Sequence, residues 1–249
     1  MSKRKTEAVV ESPPVPIGQC LSAAFKERRL KLSEDKLAVT GDKGYQTVLS
    51  EYSGNSGKWY FEVLIEELDP GHVRIGWSTR RTRFDQPIGS DCFSFAIRDS
   101  DCAKVCLGRR WDYGSQQLKA GDVVGCFLQL PEHPDSPSRH EDPMTFLPNL
   151  LCDPETVQDP DMYGPDSEIR FSLNGEALGT AFKNLVTGEY YPAVSLYGKS
   201  RVRFNFGPNF AHISDSSFKP ACEMYVPKEL MKPKRRPPNF IPRGLTSGA

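Results

Sequence analysis

Two carboxylates spaced along one strand face could do glycosidase chemistry, and Glu62 and Glu66 in KWYFEVLIEE (58 to 67) are such a pair. Four residues at a strand rise of ~3.3 Å set them about 13 Å apart. Retaining and inverting pairs work at roughly 5 to 9.5 Å, and Leu64 stands between the two, so they read as charges on a wet strand face. Cys102 and Cys106, with Cys92 nearby, could be imagined as metal ligands. The seven cysteines include no CxxC pair, no histidine lies at ligand spacing, and a structural zinc needs four donors, so they read as small, reduced, apolar side chains. His72, His133, His140 and His212 fall beside no plausible nucleophile. There is no G-x-S-x-G elbow, no H-E-x-x-H, no Walker loop and no G-x-G-x-x-G after a strand. No catalytic residue, metal or cofactor is therefore expected, and a binding module is the default.

The residue type best suited to binding is arginine, and HVRIGWSTRR (72 to 81) places one where a charge is unexpected. Val73, Ile75 and Trp77 alternate as the buried side of a strand, which sends Arg74 to the opposite face. Such a guanidinium is either a solvated surface group or the working part of an anion-binding face.

The elements that must carry it are strands. Besides VRIGW and KWYFEVLIEE, period two runs through FSFAI (93 to 97), VVGCFLQL (123 to 130), EIRFSL (168 to 173) and RVRFNF (201 to 206). Asn174-Gly175 after EIRFSL is a strong hairpin signal, because a type I′ turn needs positive φ at both central positions, and it leads into EALGTAF (176 to 182). Without long helical periods between them, many short strands imply an antiparallel sandwich.

Prolines mark the limits of the folded body. Seventeen of the 21 fall in 13 to 16, 131 to 165 and 220 to 242, leaving a body of about 20 to 130 and 166 to 214, since proline is excluded from central strands. The expected organisation is a disordered tail over 1–19, one domain over 20–214 with an acidic, Pro-rich loop inserted at 130–167, and a Pro-rich basic tail over 215–249. Between 130 and 168 there are eight prolines and ten acids against one arginine, too little apolar surface to fold alone. The tail from 227 has six Lys or Arg against one Glu, centred on KPKRRPP, a candidate nuclear-localisation signal or weak nucleosome or DNA contact. Overall, 32 basic residues balance 32 acidic ones, so no global charge points to nucleic acid or membrane. No apolar run approaches the ~20 residues that span a bilayer, and a soluble intracellular protein without membrane partners is expected.

Seven stretches in order, LKLSEDKLAVTGDKGYQTV, GKWYFEVLIEEL, RIGWSTR, QPIGSDCFSFAIRD, GDVVGCFLQLP, SEIRFSLNGEALGTAFKNL and GEYYPAVSLYGKSRVRFNFGPNF, resemble a SPRY domain. More narrowly they resemble the SPRY domain of the Ash-two (absent, small or homeotic discs two) family, over about 20 to 210 and including the acidic insert. The resemblance implies an all-β, SPRY-type antiparallel two-sheet β-sandwich in a nuclear, non-catalytic scaffold subunit of COMPASS/trithorax-type complexes that methylate lysine 4 of histone H3. It implies as partners a retinoblastoma-binding-protein-five-like WD40-repeat subunit, bound through an acidic segment, and a SET-domain methyltransferase that the pair helps to order. By position, the family's peptide pocket carries over to Tyr45, Arg74, Pro87 and Arg98, while its second tyrosine is replaced by Ser90. Two arginines on one face would hold carboxylates at roughly 1.5 to 3 kcal/mol each, with Tyr45 packing on the peptide and Pro87 shaping the wall. The 19 residues ahead of the match leave no room for the zinc-finger and winged-helix region of fuller members, so nucleic-acid binding by that route is not expected. Pro220, Pro227 and Pro233 interrupt the segment where such members carry a helix that docks a Dumpy-thirty-like dimer, which argues against that partner. The alternative is a general SPRY peptide adaptor, for instance one serving a ubiquitin ligase, although no cullin-binding box or RING motif is present.

Overall fold

The computed structural model describes residues 20–132, 162–213 and 215–224. The N-terminal tail, all but the ends of the acidic insert and the KPKRRPP segment lie outside the described residues. Two sheets face each other. The front sheet runs β1 (Leu21–Lys26), β4 (Tyr45–Ser50), β13 (Tyr191–Gly198), β6 (Gly71–Ser78), β7 (Ser94–Arg98), β8 (Lys104–Cys106) and β9 (Arg109–Trp111). The back sheet runs β12 (Glu176–Lys183), β11 (Glu168–Leu173), β10 (Val123–Leu130), β5 (Gly57–Glu67), β14 (Arg201–Asn205), β3 (Ala38–Thr40) and β2 (Lys31–Leu32). Every pairing along these two paths is antiparallel, as alternation without intervening helices requires.

The core is the space between the sheets. Val73, Ile75 and Trp77 of β6 and Val194 and Leu196 of β13 meet Phe61, Val63 and Ile65 of β5, Cys126 of β10 and Phe204 of β14, all fully or almost fully buried. The Phe61 ring meets Trp77 edge-on at 4.8 Å and stacks with Phe204 at 5.7 Å. Each such buried side chain contributes roughly 1.5 to 3 kcal/mol relative to exposure, so the inward faces fix the register of both sheets: slipping a strand by one residue would turn its apolar set outward. At Gly76 an added Cβ would lie 2.0 Å from the Phe95 carbonyl oxygen, so only glycine lets β6 approach β7 this closely. The Asn174-Gly175 turn joins β11 to β12 with φ of 50° and 86°, the positive pair that the sequence signals.

Two boundaries differ from expectation. The described chain continues past 214: β15 (Lys219–Pro220) pairs parallel with the start of β5, and a 3-10 turn follows at Ala221–Glu223. Burial of Phe218, Ala221 and Met224 holds this segment down, an apolar gain that its prolines conceal. At the far end of the insert, Tyr163 is buried and its hydroxyl oxygen lies 3.1 Å from the carbonyl oxygens of both Asn55 and Gly188, which share its one proton. The stretch Phe210 to His212, together with Phe218, covers the outer face of β5, where Tyr60, Phe127 and Phe218 cluster with the partly buried Phe210. Glu62 is consequently buried rather than wet.

Candidate functional site

Cross-strand register on the outer face of the front sheet brings the site together. Arg74 of β6 pairs directly with Arg98 of β7 on one side and with Ser195 of β13 on the other, and Ser195 pairs with Thr47 of β4. Two positions along, the next row is Tyr45, Tyr197 and His72. Directly opposed residues point to the same face, so the arginines form a floor and the aromatic row flanks it.

The other flank is the segment from Thr79 to Phe93, pinned by buried hydroxyls. Thr47 donates its N–H to the Phe84 carbonyl at 2.9 Å and its hydroxyl to the Gln86 carbonyl at 2.7 Å. Ser195 Oγ accepts the Ile88 N–H at 2.7 Å, and Ser94 Oγ accepts that of Gly89 at 2.8 Å. Ile88 is fully buried among Phe25, Leu49, Ala96, Val105, Tyr191 and Ala193, an outer core beneath the loop. The Pro87-Ile88-Gly89-Ser90 turn closes with Ser90 N–H donating to the Pro87 carbonyl at 3.2 Å, with Gly89 at φ 84°. Pro87 therefore sits in the loop that borders the arginines. Ser90 lies at the end of that turn, where Gly89 accepts the Gly108 N–H at 2.8 Å, toward the β8–β9 connection.

The two arginines differ in state. Arg74 is half-buried, donates from Nη1 to the Ile88 carbonyl at 3.1 Å, and holds its guanidinium 5.5 Å from the centre of the Tyr45 ring. Burial lowers its pKa, the Tyr45 hydroxyl opposes the shift, and the Arg98 charge adds to it. Among the described residues no carboxylate is within ion-pairing distance of Arg74. Arg98 is already engaged: Asp101 takes its Nε and Nη2 in a fork, both at 2.6 Å. Asp101 also accepts Arg110 Nε at 2.7 Å, and Arg110 reaches Asp112 at 2.7 Å. Hydrogen bonding from Arg98 first, and then from Arg110, holds the Asp101 carboxyl well below the usual range although burial pulls the other way. Two free arginines gripping carboxylates are thus not what the face presents. One is open and one is latched, because Asp101 lies across the tight turn from Arg98.

The sequence singled out Tyr45, Arg74, Pro87, Ser90 and Arg98. It missed Tyr197, 43% exposed with its ring centre 5.0 Å from that of Tyr45, and His72, whose Nδ1 lies 2.9 Å from buried Asp99. The signal for Tyr197 was its spacing of two from Ser195 in YPAVSLYG. The other candidate chemistry is occupied. Glu62 accepts from Tyr60 Oη at 3.0 Å, His212 N at 2.7 Å, Ala211 N at 2.9 Å and Asn205 Nδ2 at 3.2 Å. Glu66 is bound by Arg201 and, at 2.8 Å, by Arg203. Both carboxylates serve structure. Cys102 and Cys106 are buried free thiols, and burial raises the Cys102 pKa to about 11. Among the described residues no three of His, Cys, Asp and Glu come together as a metal-binding group.

The fold finds its counterparts in known proteins. The SPRY domain family model matches residues 58–134 and 164–209. The chain is 33% identical over 216 residues to the Set1/Ash2 histone methyltransferase complex subunit ASH2 of Drosophila melanogaster, covering 80% of this chain and 37% of that protein. It is 31% identical over 241 residues to the Set1 complex component ash2 of Schizosaccharomyces pombe, covering 78% of this chain and 37% of that protein. The chain belongs to the Ash2-type SPRY family. It spans little more than a third of the length of these curated relatives. The SPRY domain of human HERC1 shares the fold at a TM-score of 0.52 and 15% identity, over 74% of this chain and 96% of that one.

Proposed function

We propose that this Ash2-type SPRY domain is a non-catalytic scaffold module of a nuclear histone H3 lysine 4 methyltransferase complex. Its outer front face binds an acidic segment of a WD40-repeat subunit and helps to order the SET-domain enzyme. The complex is suggested by the names of the relatives, which are Set1/Ash2 complex subunits. The observation that carries the binding mode is the cross-strand pair Arg74 and Arg98, two like charges directly opposed on an outer face. Such a pair is destabilising by itself, and an incoming carboxylate relieves it. Arg74, partly desolvated and without an acid partner among the described residues, is the charge most strengthened by a ligand.

Two measurements test this reading. A pull-down of the native protein should recover a SET-domain methyltransferase with WD40 subunits, whereas cullin or RING components alone would overturn the proposal in favour of a ubiquitin-ligase adaptor. Arg74→Ala should weaken binding of an acidic peptide roughly ten- to hundredfold, the loss of one charge-assisted contact, and flatten its salt dependence. Unchanged affinity in a folded variant would show that the ligand binds elsewhere.

A further inference from the structure

Ser90 removes an aromatic wall that the family resemblance leads one to expect, yet the face is not without a second ring. Tyr197 is the most exposed Phe, Tyr or Trp side chain among the described residues, and it lies against Tyr45 on the row next to the arginines. Its packing against Tyr45 and, at 6.0 Å, His72 fixes one edge of the ring and leaves the rest to solvent. Because Tyr197 is two residues beyond Ser195, and Ser195 opposes Arg74, the ring stands diagonally from the guanidinium. Diagonal neighbours of this kind lie about 7 to 8 Å apart. Alternate side chains of an extended peptide, about 6.6 Å apart on one face, match that separation.

We infer that Tyr197 determines specificity at this site: Arg74 receives one carboxylate of the ligand, and Tyr197, backed by Tyr45, receives an apolar or aromatic side chain two residues away. The occupant is thus an extended acidic peptide in which an Asp or Glu alternates with a large apolar residue. Charge complementarity at Arg74 argues for the acid, and the half-exposed Tyr197 ring for its neighbour, since aromatic surface left in water favours burial by a ring or branched chain. The latch on Arg98 strengthens the case, because with one arginine occupied by Asp101 the face has less charge with which to select and depends more on its rings. The inference rests on the acidic-peptide reading above.

The test uses the full chain and two fluorescein-labelled acidic peptides of otherwise identical sequence, one with Phe two residues from a central Glu and one with Ala there, titrated by fluorescence anisotropy. The wild-type chain should bind the Phe peptide about five- to tenfold more tightly, the selectivity one aromatic contact supplies. Tyr197→Ala should erase that difference; Tyr197→Phe should retain it; Arg74→Ala should weaken both peptides alike. Tyr197 is exposed enough that the melting temperature should confirm folding of each variant. If the wild type does not distinguish the peptides, or Tyr197→Ala preserves the distinction, the role given to Tyr197 is wrong. If Arg74→Ala leaves both affinities intact, the acidic-peptide reading beneath it is wrong.

Discussion

Asp101→Asn keeps the shape of a side chain and removes the charge that two guanidiniums share. In the wild type Asp101 accepts Arg98 through a fork and Arg110 through Nε, with the carboxylate 26% exposed and the arginines 32% and 46% exposed. A partly exposed pair is worth roughly 0.2 to 1 kcal/mol, so losing the Arg98 fork costs up to about 1 kcal/mol. The variant also leaves Arg98 facing Arg74 without a neutralising acid. Two unit charges ~7 Å apart at an effective dielectric of about 40 to 80 repel by roughly 0.6 to 1.2 kcal/mol. The sum, roughly 1 to 2 kcal/mol, should lower the melting temperature by about 2 to 8 °C in a domain of this size. Binding should move the other way. A freed Arg98 adds a second charge-assisted contact, and even half of its usual worth tightens a diacidic peptide roughly four- to twelvefold and steepens the salt dependence. Differential scanning fluorimetry and anisotropy titrations at low and moderate salt measure the two effects together. A variant that melts lower but binds no more tightly would show that Arg98 does not face the ligand; an unchanged melting temperature would show that the Asp101 network carries no stability.

Other expectations follow from the same coordinates. Gly76→Ala puts a methyl group 2.0 Å from the Phe95 carbonyl oxygen, so β6 and β7 must separate; the urea midpoint should fall by the equivalent of at least ~2 kcal/mol, and acidic-peptide binding should weaken because the arginine pair sits on those two strands. Glu62→Gln offers an amide to the backbone N–H groups of Ala211 and His212, replacing an acceptor by a donor in a buried site at a cost of about 2 to 3 kcal/mol; chemical denaturation should show that loss, and limited proteolysis should cut earlier near 207 to 213. Burial pulls the Asp35 carboxyl upward, but the Ser33 hydroxyl, Arg203 and the Leu37 N–H together hold it at about 2, below its ordinary 3.8. A depressed carboxyl stabilises the fold fully above its unfolded value and loses that contribution as the pH falls toward 2, so melting curves at pH 7, 4 and 2 should fall less steeply at the acid end for Asp35→Asn than for the wild type.

Period two was enough to recover the strands that carry large alternating side chains, and with them the outward direction of Arg74. Glycine and asparagine chemistry recovered the β11–β12 hairpin. The short strands β8 and β9 offer only three residues each, too few for alternation to speak, and β13 opens on Tyr191-Pro192, a proline at the strand entrance that discourages the assignment. Glu62 shows a different limit. Alternation tells which side of β5 a residue takes but not that a C-terminal stretch will return to cover that side, because the return depends on Phe210 and Phe218 finding apolar surface far away in sequence. The candidate site divides along the same line. Tyr45, Arg74 and Arg98 share a face by register alone, whereas the capture of Arg98 by Asp101 depends on the path of the turn between them, which no periodic pattern encodes.

Placing Arg98 directly across from Arg74 runs against the local preference of a sheet for opposite or uncharged cross-strand pairs. A threonine or valine at either position would pair more favourably on a pleated surface, and nothing in the core requires an arginine there, since both side chains point away from it. The surrounding structure moderates the conflict without removing it: Tyr45 supplies a ring face and Ile88 a carbonyl to Arg74, and Asp101 takes Arg98. The moderation is unequal, and the inequality is what gives the face a direction. A fully neutralised pair would be a structural ion network with nothing left to attract, while two unpaired guanidiniums would repel each other and draw any polyanion indiscriminately. In the proposed site, one latched and one open arginine beside a half-exposed tyrosine would select an anion by position as well as by charge. Local rules that fail where the rest of a sequence obeys them mark functional or strained sites, and in this sandwich one such failure, the cross-strand arginine pair, lies on the outer face of β6 and β7.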